Sequence, residues 1–464
     1  MRKITFFIFL MIGINYSFSQ ACPDTNYSFT NQNLLDNFPQ DCTEITGNIQ
    51  LLGGGITDLT PLQNITKING ILRIATSGLT DNLTGLENLV YVGNNLIIEN
   101  NEFLQTVEQF DNLEYIGGDV NFYGNDALIA LPANTILTEI GGYYNITLNA
   151  SLTTTDGFDN LESVGRFIQI LKNNNLTSIS NFNNLVSYDG EIRITGNESL
   201  TSITGFSNLT YIDEELQIQD NDMLTDISGF DTLEEVGLDV NFHENDAITD
   251  LSGFNNLISA GRNIFVGQNA NLIDISGFAS VTTVMGGIQI GDNDALEDIS
   301  GFNGIEMING YLTIHFNDIL PEVSGFLNLN EVGAFIEIED NPLLEMCEAF
   351  CPLLINDVNS ITIDGNAPGC NTKQEIIDSC GLNISEENIE AFAIYPNPTN
   401  GQFQITGNEN FETLELFDIS GRKIKSISLK NKDDFDFSNL ERGIYMLKVS
   451  NKIKTFQTKI MIEK

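Results

Sequence analysis

Apolar residues recur along this chain with a period of 24 residues, and the period runs without a slip through its centre. An Asn opens each unit, at positions 101, 125, 149, 173, 197, 221, 245, 269, 293, 317 and 341. Counted from that Asn as position 0, positions +3, +6, +9, +12 and +15 are apolar, and +9 is Phe except at Asn134. A spacing of three is too tight for an amphipathic α-helix. Positions +18 to +22 alternate polar and apolar, which predicts a short strand with one buried face.

One such unit cannot bury its apolar side alone, so the pattern predicts a mainly β solenoid in which the units stack as coils. Looser copies precede position 101, and the whole array predicts about 13 coils, roughly 60 Å long at about 4.8 Å per coil. In such a stack Phe falls on Phe, and the Asn amide lies inside the turn, bonded to backbone groups. The Gly before the Phe and the Gly-Gly or Asn-Gly pair before the strand predict turns with positive φ.

Three segments of the array carry a resemblance to a known family. The string LTIHFNDIL, Leu312–Leu320, follows the leucine-rich-repeat core pattern L-x-I-x-x-N-x-x-L. CTEITGNIQL, which begins at Cys42, is similar to a first coil, and CEAFCPLL with GNAPGC, closed by Cys370, is similar to a C-terminal cap. Residues 22–380 therefore resemble the receptor L-domain type of leucine-rich-repeat protein secreted by Bacteroidetes. The resemblance implies a right-handed solenoid and leaves the ligand open.

The ends of the array carry an export signal and the cysteines. Arg2 and Lys3 precede the apolar run ITFFIFLMIGI, which predicts a signal peptide cleaved near Gln20; the run is too short for the alternative, a membrane anchor. A lipid-modified Cys22 is a further alternative, although SQAC matches such a site poorly. All six cysteines flank the array and no histidine lies near them, which favours disulfides over zinc. The predicted pairs are Cys22–Cys42, Cys347–Cys370 and Cys351–Cys380, with an exchange between the last two left open.

The composition changes after Cys380, where alternating apolar residues between turn signals predict a small β-sandwich. IYPNPTNGQFQI, LELFDISGRKIK and FDFSNLERGIYMLKV together resemble the type A sorting domain of the type IX secretion system. Its motif residues are Tyr395, Pro396, Asn397, Pro398, Gly421, Gly443 and Tyr445. The resemblance implies that residues 393–464 bind the secretion machinery, that the chain crosses the outer membrane and loses its tail, and that it is then released or surface-attached.

The predicted organisation has six parts. They are a signal peptide at 1–20, an N-terminal cap at 21–46, the solenoid at 47–340, a disulfide-rich C-terminal cap at 341–381, a linker at 382–392 and the sorting domain at 393–464. Residues 21–380 carry 52 acidic and seven basic side chains. This charge argues against nucleic acid and anionic lipid as partners, because both are bound through Lys and Arg. We expect no transmembrane segment and a monomer.

Candidate chemistry within the array is sparse. His243 and His315 share position +22 but lie three coils apart, about 14 Å, too far for one metal ion. No catalytic-triad, HExxH or phosphate-loop pattern is visible, so we expect no enzyme activity and no cofactor. Acidic columns stand at +1, with Asp222, Asp246, Asp294 and Asp318, and at +5, with Asp226, Asp250, Asp274, Asp298 and Glu322. We interpret them as a solvated ridge, with weak Ca²⁺ association as the alternative.

The outer face of the predicted strands is the candidate binding surface. The candidate ligand-binding residues are Tyr123, Asn145, Gln169, Arg193, Gln217, Asn241, Phe265, Gln289 and Tyr311. Amides and aromatics on a rigid sheet suit glycan or protein ligands, which predicts a secreted or cell-surface adhesion protein; these residues are also ordinary for an exposed strand. The alternatives are a structural spacer without a ligand and a polysaccharide-degrading β-helix enzyme. The enzyme would need clustered acid, base and basic groups, whereas Arg193 is the one arginine expected on this face.

Overall fold

The structure is a computed structural model that describes residues 22–23, 25–355, 360–380, 393–406, 411–418, 421–429, 434–451 and 455–463. The chain divides into two compact units, Met1–Gly381 and Leu382–Lys464. The predicted signal peptide and linker lie outside the described residues. No helix in the described ranges is long and apolar enough to cross a membrane.

The first unit is a parallel β-solenoid, as the 24-residue period predicts, and it is right-handed, as the resemblance implies. Each coil contributes one strand to a main sheet. Within the described residues this sheet has fifteen strands: Tyr27–Phe29, Ile49–Leu52, Leu72–Ala75, Leu96–Glu99, Val120–Tyr123, Tyr144–Thr147, Phe167–Leu171, Glu191–Thr195, Leu216–Gln219, Val240–His243, Ile264–Gly267, Ile288–Gly291, Leu312–His315, Ile336–Glu339 and Ile361–Asp364. The number exceeds the expected 13 or so because the first and last strands, which belong to the two ends, also pair with the sheet.

The remaining sides of the coils carry shorter elements. Two-residue strands form three small parallel sheets: Glu44–Ile45, Lys67–Ile68, Tyr91–Val92, Tyr115–Ile116, Glu139–Ile140 and Ser163–Val164; Ser178–Ile179 and Ser202–Ile203; and Ser187–Tyr188, Tyr211–Ile212, Glu235–Val236, Ser259–Ala260, Thr283–Val284, Met307–Ile308 and Glu331–Val332. Short 3₁₀ helices lie at Thr60–Leu62, Glu108–Phe110, Ser228–Phe230, Ser252–Phe254, Ser276–Phe278, Ser300–Phe302, Ser324–Phe326 and Glu348–Phe350. The α-helices Gln32–Asp36, Cys351–Ile355 and Lys373–Ser379 lie near the two ends.

Aromatic rings stack along the core, as the repeated Phe at +9 predicts. From Phe182 to Phe350 the rings of successive coils are stacked, with centroids 4.8 Å apart in the first pair and 6.4 Å apart in the last. The exception, Asn134, is fully buried and replaces the ring with hydrogen bonds. Its Nδ2 donates to the carbonyls of Phe110 and Leu113, both at 2.8 Å, so this coil closes without a Phe.

The recurring Asn forms a buried ladder, as predicted. Asn221 shows the pattern: its Oδ1 accepts from both the backbone N and the Nδ2 of Asn197 at 3.2 Å. Its Nδ2 donates to the carbonyls of Ile194 and Gln219 and to Oδ1 of Asn245. The ladder ends at Asn366, whose Nδ2 donates to the Cys370 carbonyl. Each amide therefore satisfies backbone groups that the turn buries.

Positive φ occurs at a position that the sequence pattern does not reveal. The residue just before each ladder position, which is Asn except at Ser77, has φ between 50° and 57° in most coils. It is seldom Gly: Thr76, Asn100, Leu148, Lys172, Asp220, Glu244, Gln268, Asp292, Phe316 and Asp340. The expected positive φ at the Gly before Phe and the Gly before the strand is wrong, apart from Gly157. These glycines are required by close approach instead: a Cβ on Gly277 would lie 1.8 Å from the Leu251 carbonyl oxygen.

The cysteines agree with prediction at one end of the solenoid only. Cys347–Cys370 and Cys351–Cys380 are disulfides, which decides the partners that the sequence left open. The predicted pair Cys22–Cys42 is absent: both residues are buried free thiols. Burial and the adjacent Cys42 side chain raise the pKa of the Cys22 thiol to about 12, so it stays protonated.

The second unit is antiparallel. One sheet contains Ala393–Tyr395, Gln402–Thr406 and Asp434–Asp436, and the other contains Thr413–Phe417, Lys423–Ser428, Gly443–Ser450 and Thr455–Ile462. Phe403, Phe435 and Phe437 pack with Leu447 and Ile460 in its own apolar core.

Candidate functional site

The main sheet places seven of the nine candidate residues in one column. Asn145, Gln169, Arg193, Gln217, Asn241, Phe265 and Gln289 are successive ladder partners on adjacent strands. All seven are partly exposed, because their neighbours along each strand point into the core. Tyr123 and Tyr311 are on the same face but flank the column on opposite sides, in coils that are far apart.

Several of the column's amides already have hydrogen-bond partners on the same face. Asn145 Nδ2 donates to Asn121 Oδ1 at 2.6 Å. Gln217 Nε2 donates to Gln219 Oε1 at 2.6 Å, and Asn241 Nδ2 donates to Glu215 Oε1. These bonds hold the side chains in fixed positions, so the face is organised before any ligand arrives.

Towards the first coils the same column continues through Asn121 and Ile97 to a second arginine, Arg73. Arg193 lies 2.6 Å from Glu191, and Arg73 donates from Nε to Glu99 Oε1 at 2.7 Å. Sequence reasoning missed Arg73 because the first coils differ in length, which hides its ladder pairing with Gln50 and Ile97. Burial, together with Glu215 and Glu214, raises the pKa of Glu191 against the opposing effect of Arg193. Both arginines are therefore paired with carboxylates on the same face.

A depression of about 330 Å³ interrupts the face beside Phe265. It is lined by Asn241, His243, Phe265, Val266, Gly267, Gln268, Gln289, Gly291 and Asp292. His243, Gly267, Gly291 and His315 are successive ladder partners, so the two strands between the histidines each have a glycine at this position. The sequence marks this place by Gly at +22 in two consecutive units, Gly267 and Gly291. The composition of the +20 column does not indicate it.

Aromatic side chains of the next coil lean over this region. A Cβ on Gly291 would lie 2.3 Å from Cε1 of His315, and a Cβ on Gly287 would lie 2.6 Å from ring atoms of Tyr311. Tyr311 is also stacked on Phe335 with ring centroids 5.3 Å apart. Gly291 and Gly287 have no side chains, so both rings have room above them, and the His315 ring covers the Gly291 side of the depression.

The two histidines have different surroundings. Burial lowers the pKa of His243, although the carboxylates of Glu244, Asp220 and Glu215 oppose this. His315 Nε2 lies 3.3 Å from Gln289 Nε2, and its Nδ1 lies 3.9 Å from Asp292 Oδ2. The two histidines lie three strands apart in the sheet, as the sequence predicts. No group of three or more metal-binding side chains occurs in the described part of the chain.

The acidic column at +5 has a structural role that the sequence did not suggest. Oδ1 of Asp226 accepts from the backbone N of Ser228 at 2.9 Å, and Asp250 does the same for Ser252 at 3.1 Å. Asp298 caps Ser300 in the same way. Each carboxylate thus closes the turn that opens a Ser-Gly-Phe 3₁₀ helix.

In the second unit the motif residues hold turns and a sheet edge. Asn397 Nδ2 donates to the Lys459 carbonyl at 2.7 Å, and its Oδ1 accepts from Met461 N at 2.9 Å. Gly421 has φ +79°, and Tyr445 donates its hydroxyl to the Glu441 carbonyl. Tyr395 and Pro396 border a cavity of about 560 Å³ with Phe403 and Phe435, while Pro398 is exposed and Gly443 begins a strand.

Residues 393–463 match the family described as Secretion system C-terminal sorting domain. No curated protein matches the chain. The match confirms the predicted export route. The chain is a type IX-secreted protein of the Bacteroidetes kind, and it is either secreted or attached to the outer-membrane surface.

Proposed function

We propose that this protein is a non-enzymatic binding protein, an adhesin or recognition module, that takes glycan or protein ligands on the outer face of the main sheet. The observation that carries the proposal is the column from Asn145 to Gln289, in which amides and an aromatic ring are aligned on adjacent strands. Solenoids bind partners on such extended surfaces. Export to the cell surface or the medium places this face where such ligands occur.

We also assign the solenoid to the receptor L-domain type of leucine-rich repeat. The support is the buried Asn at a fixed place in each coil and a C-terminal end closed by Cys347–Cys370 and Cys351–Cys380. Neither the family resemblance nor the Asn ladder depends on the ligand, so failure of the binding proposal would not contradict this assignment.

A glycan-cleaving enzyme is the second candidate, and one observation favours it. Glu191 and Glu215 lie on adjacent coils of the outer face, and Glu191 has a raised pKa, as a general acid requires. Both carboxylates already have partners, however: Arg193 contacts Glu191, and Asn241 donates to Glu215. We therefore place binding ahead of catalysis.

The test is an array of glycans and host proteins probed with the exported chain, followed by analysis of the bound material for cleavage. Saturable binding without bond cleavage supports the proposal. Turnover that Glu191→Gln abolishes would favour the enzyme, and absence of binding to every probe would favour a structural spacer. Intact mass of native material tests the processing, which should leave a chain that starts near residue 21 and ends near residue 390.

A further inference from the structure

We propose that the depression over Gly267 is a subsite for one ring of a neutral sugar, which lies against Phe265. This inference rests on the proposed binding function, since it names the ligand class and the place on the outer face that holds it. The floor of the depression, its border, its charge and the pairing of its strands all favour such a ligand.

The floor is open at Gly267, which has no side chain, whereas the imidazole of His315 covers Gly291 beside it. Gly267 and Gly291 take the strand position that His243 and His315 fill in the flanking coils. The ring of Phe265 lines the same depression. A sugar ring presents C–H groups on one face, and these pack favourably against the electron-rich face of an aromatic ring.

The border offers groups that match hydroxyls. Asn241, Gln268 and Gln289 line the depression, and a carboxamide both donates and accepts hydrogen bonds, as a sugar hydroxyl does. Asp292 also lines the depression, and its Oδ2 lies 3.9 Å from Nδ1 of His315, longer than a hydrogen bond, so this carboxylate keeps capacity for a ligand hydroxyl.

The charge around the depression selects against anions. Asp292 lines it, and the carboxylates of Glu244, Asp220 and Glu215 act on His243 at its border. The guanidinium of Arg262 does not offset them for a ligand, because its Nε donates to both carboxylate oxygens of Asp239 at 2.9 Å. An acidic sugar or an acidic peptide would be repelled, whereas a neutral, hydroxyl-rich ring would not.

The strands of the depression leave no place for an added peptide strand. Val240–His243, Ile264–Gly267, Ile288–Gly291 and Leu312–His315 are each paired on both sides. Their backbone groups are therefore committed, and a peptide could not bind by extending the sheet here. A ligand here must therefore be bound by side chains, and the carboxamides at the border can bind the hydroxyls of a sugar.

The experiment titrates the full exported chain against neutral oligosaccharides, anionic oligosaccharides and unglycosylated proteins. Gly267→Gln fills the floor; its Cβ would lie 3.0 Å from the Gly291 carbonyl oxygen, a close contact without positive φ. Phe265→Thr removes the ring, and Thr313 shows that the column accepts Thr. The matched control is Leu171→Gln, which places the same side chain at the same strand position four coils away from the depression.

We expect neutral oligosaccharides to bind, with affinity lowered at least about 100-fold by Gly267→Gln and about tenfold by Phe265→Thr. Leu171→Gln should stay within about twofold, and melting temperatures should confirm that all three variants fold. Equal effects of Gly267→Gln and Leu171→Gln, or binding of anionic ligands only, would overturn the sugar subsite and leave the binding function standing. No binding to any of the probes would overturn both.

Discussion

Replacement of one ladder amide should destabilise the solenoid far more than its size suggests. In Asn221→Ala, the backbone N–H of Asn197 loses its acceptor and the carbonyl of Ile194 loses a donor, both in a fully buried turn. An unsatisfied buried backbone group costs about 1–2 kcal/mol, so two such groups lower the free energy of unfolding by about 2–4 kcal/mol. Loss of hydrophobic burial contributes little to this destabilisation, because the group that is removed is a polar carboxamide.

The measurement is urea unfolding followed by circular dichroism, with two comparison variants. Asn255→Ala is the matched control, because Asn255 is exposed and Ala279 occupies the same position one coil later; it should change stability by less than about 0.5 kcal/mol. Asn221→Ser should lose about half as much as Asn221→Ala, since a hydroxyl both donates and accepts and Ser77 already begins the ladder. If Asn221→Ala proved no worse than Asn255→Ala, the ladder would not stabilise the fold.

Four further outcomes are expected. Asp250→Ala should cost about 1 kcal/mol through loss of the turn cap, read from the urea midpoint against the capping-competent Asp250→Asn. The Ser252 side chain and backbone lower the pKa of Asp250, so this contribution is present above the unfolded pKa of about 3.9 and should disappear as pH falls through the lower folded value. His243 also has a lowered pKa, so its neutral form favours the folded state. The melting temperature should therefore decrease as the pH is lowered through about 6.5, and this decrease should be smaller in His243→Gln. Cys347→Ser opens a link that spans 23 residues and should cost about 3 kcal/mol, measured against the oxidised wild type. Melting temperatures with Ca²⁺ and with chelator at equal ionic strength should agree, and a large rise lost in Asp250→Asn plus Asp274→Asn would refute the solvated-ridge interpretation.

The repeat itself determined the solenoid, because stacking is the one way for a 24-residue unit with a single apolar side to bury it. Phe on Phe and Asn on Asn follow from the period, and the fixed spacing from Asn145 to Gln289 is enough by itself to align those residues in one column. The tail was equally readable, because Tyr395 to Pro398 and the glycine motifs set turns locally. Neither the period nor the motif carries information on a ligand.

Contacts between coils decided the rest. The glycines before Phe are required by a carbonyl of the preceding coil, and the left-handed backbone falls on residues such as Glu244 that no local rule marks. Arg73 joined the column only through its strand pairing, and the predicted Cys22–Cys42 bond was replaced by two buried thiols. The depression beside Phe265 exists because Gly267 has no side chain, while the His315 ring of a later coil covers the neighbouring Gly291. Such features depend on contacts between atoms of different coils, and the sequence of a single repeat unit does not specify those contacts.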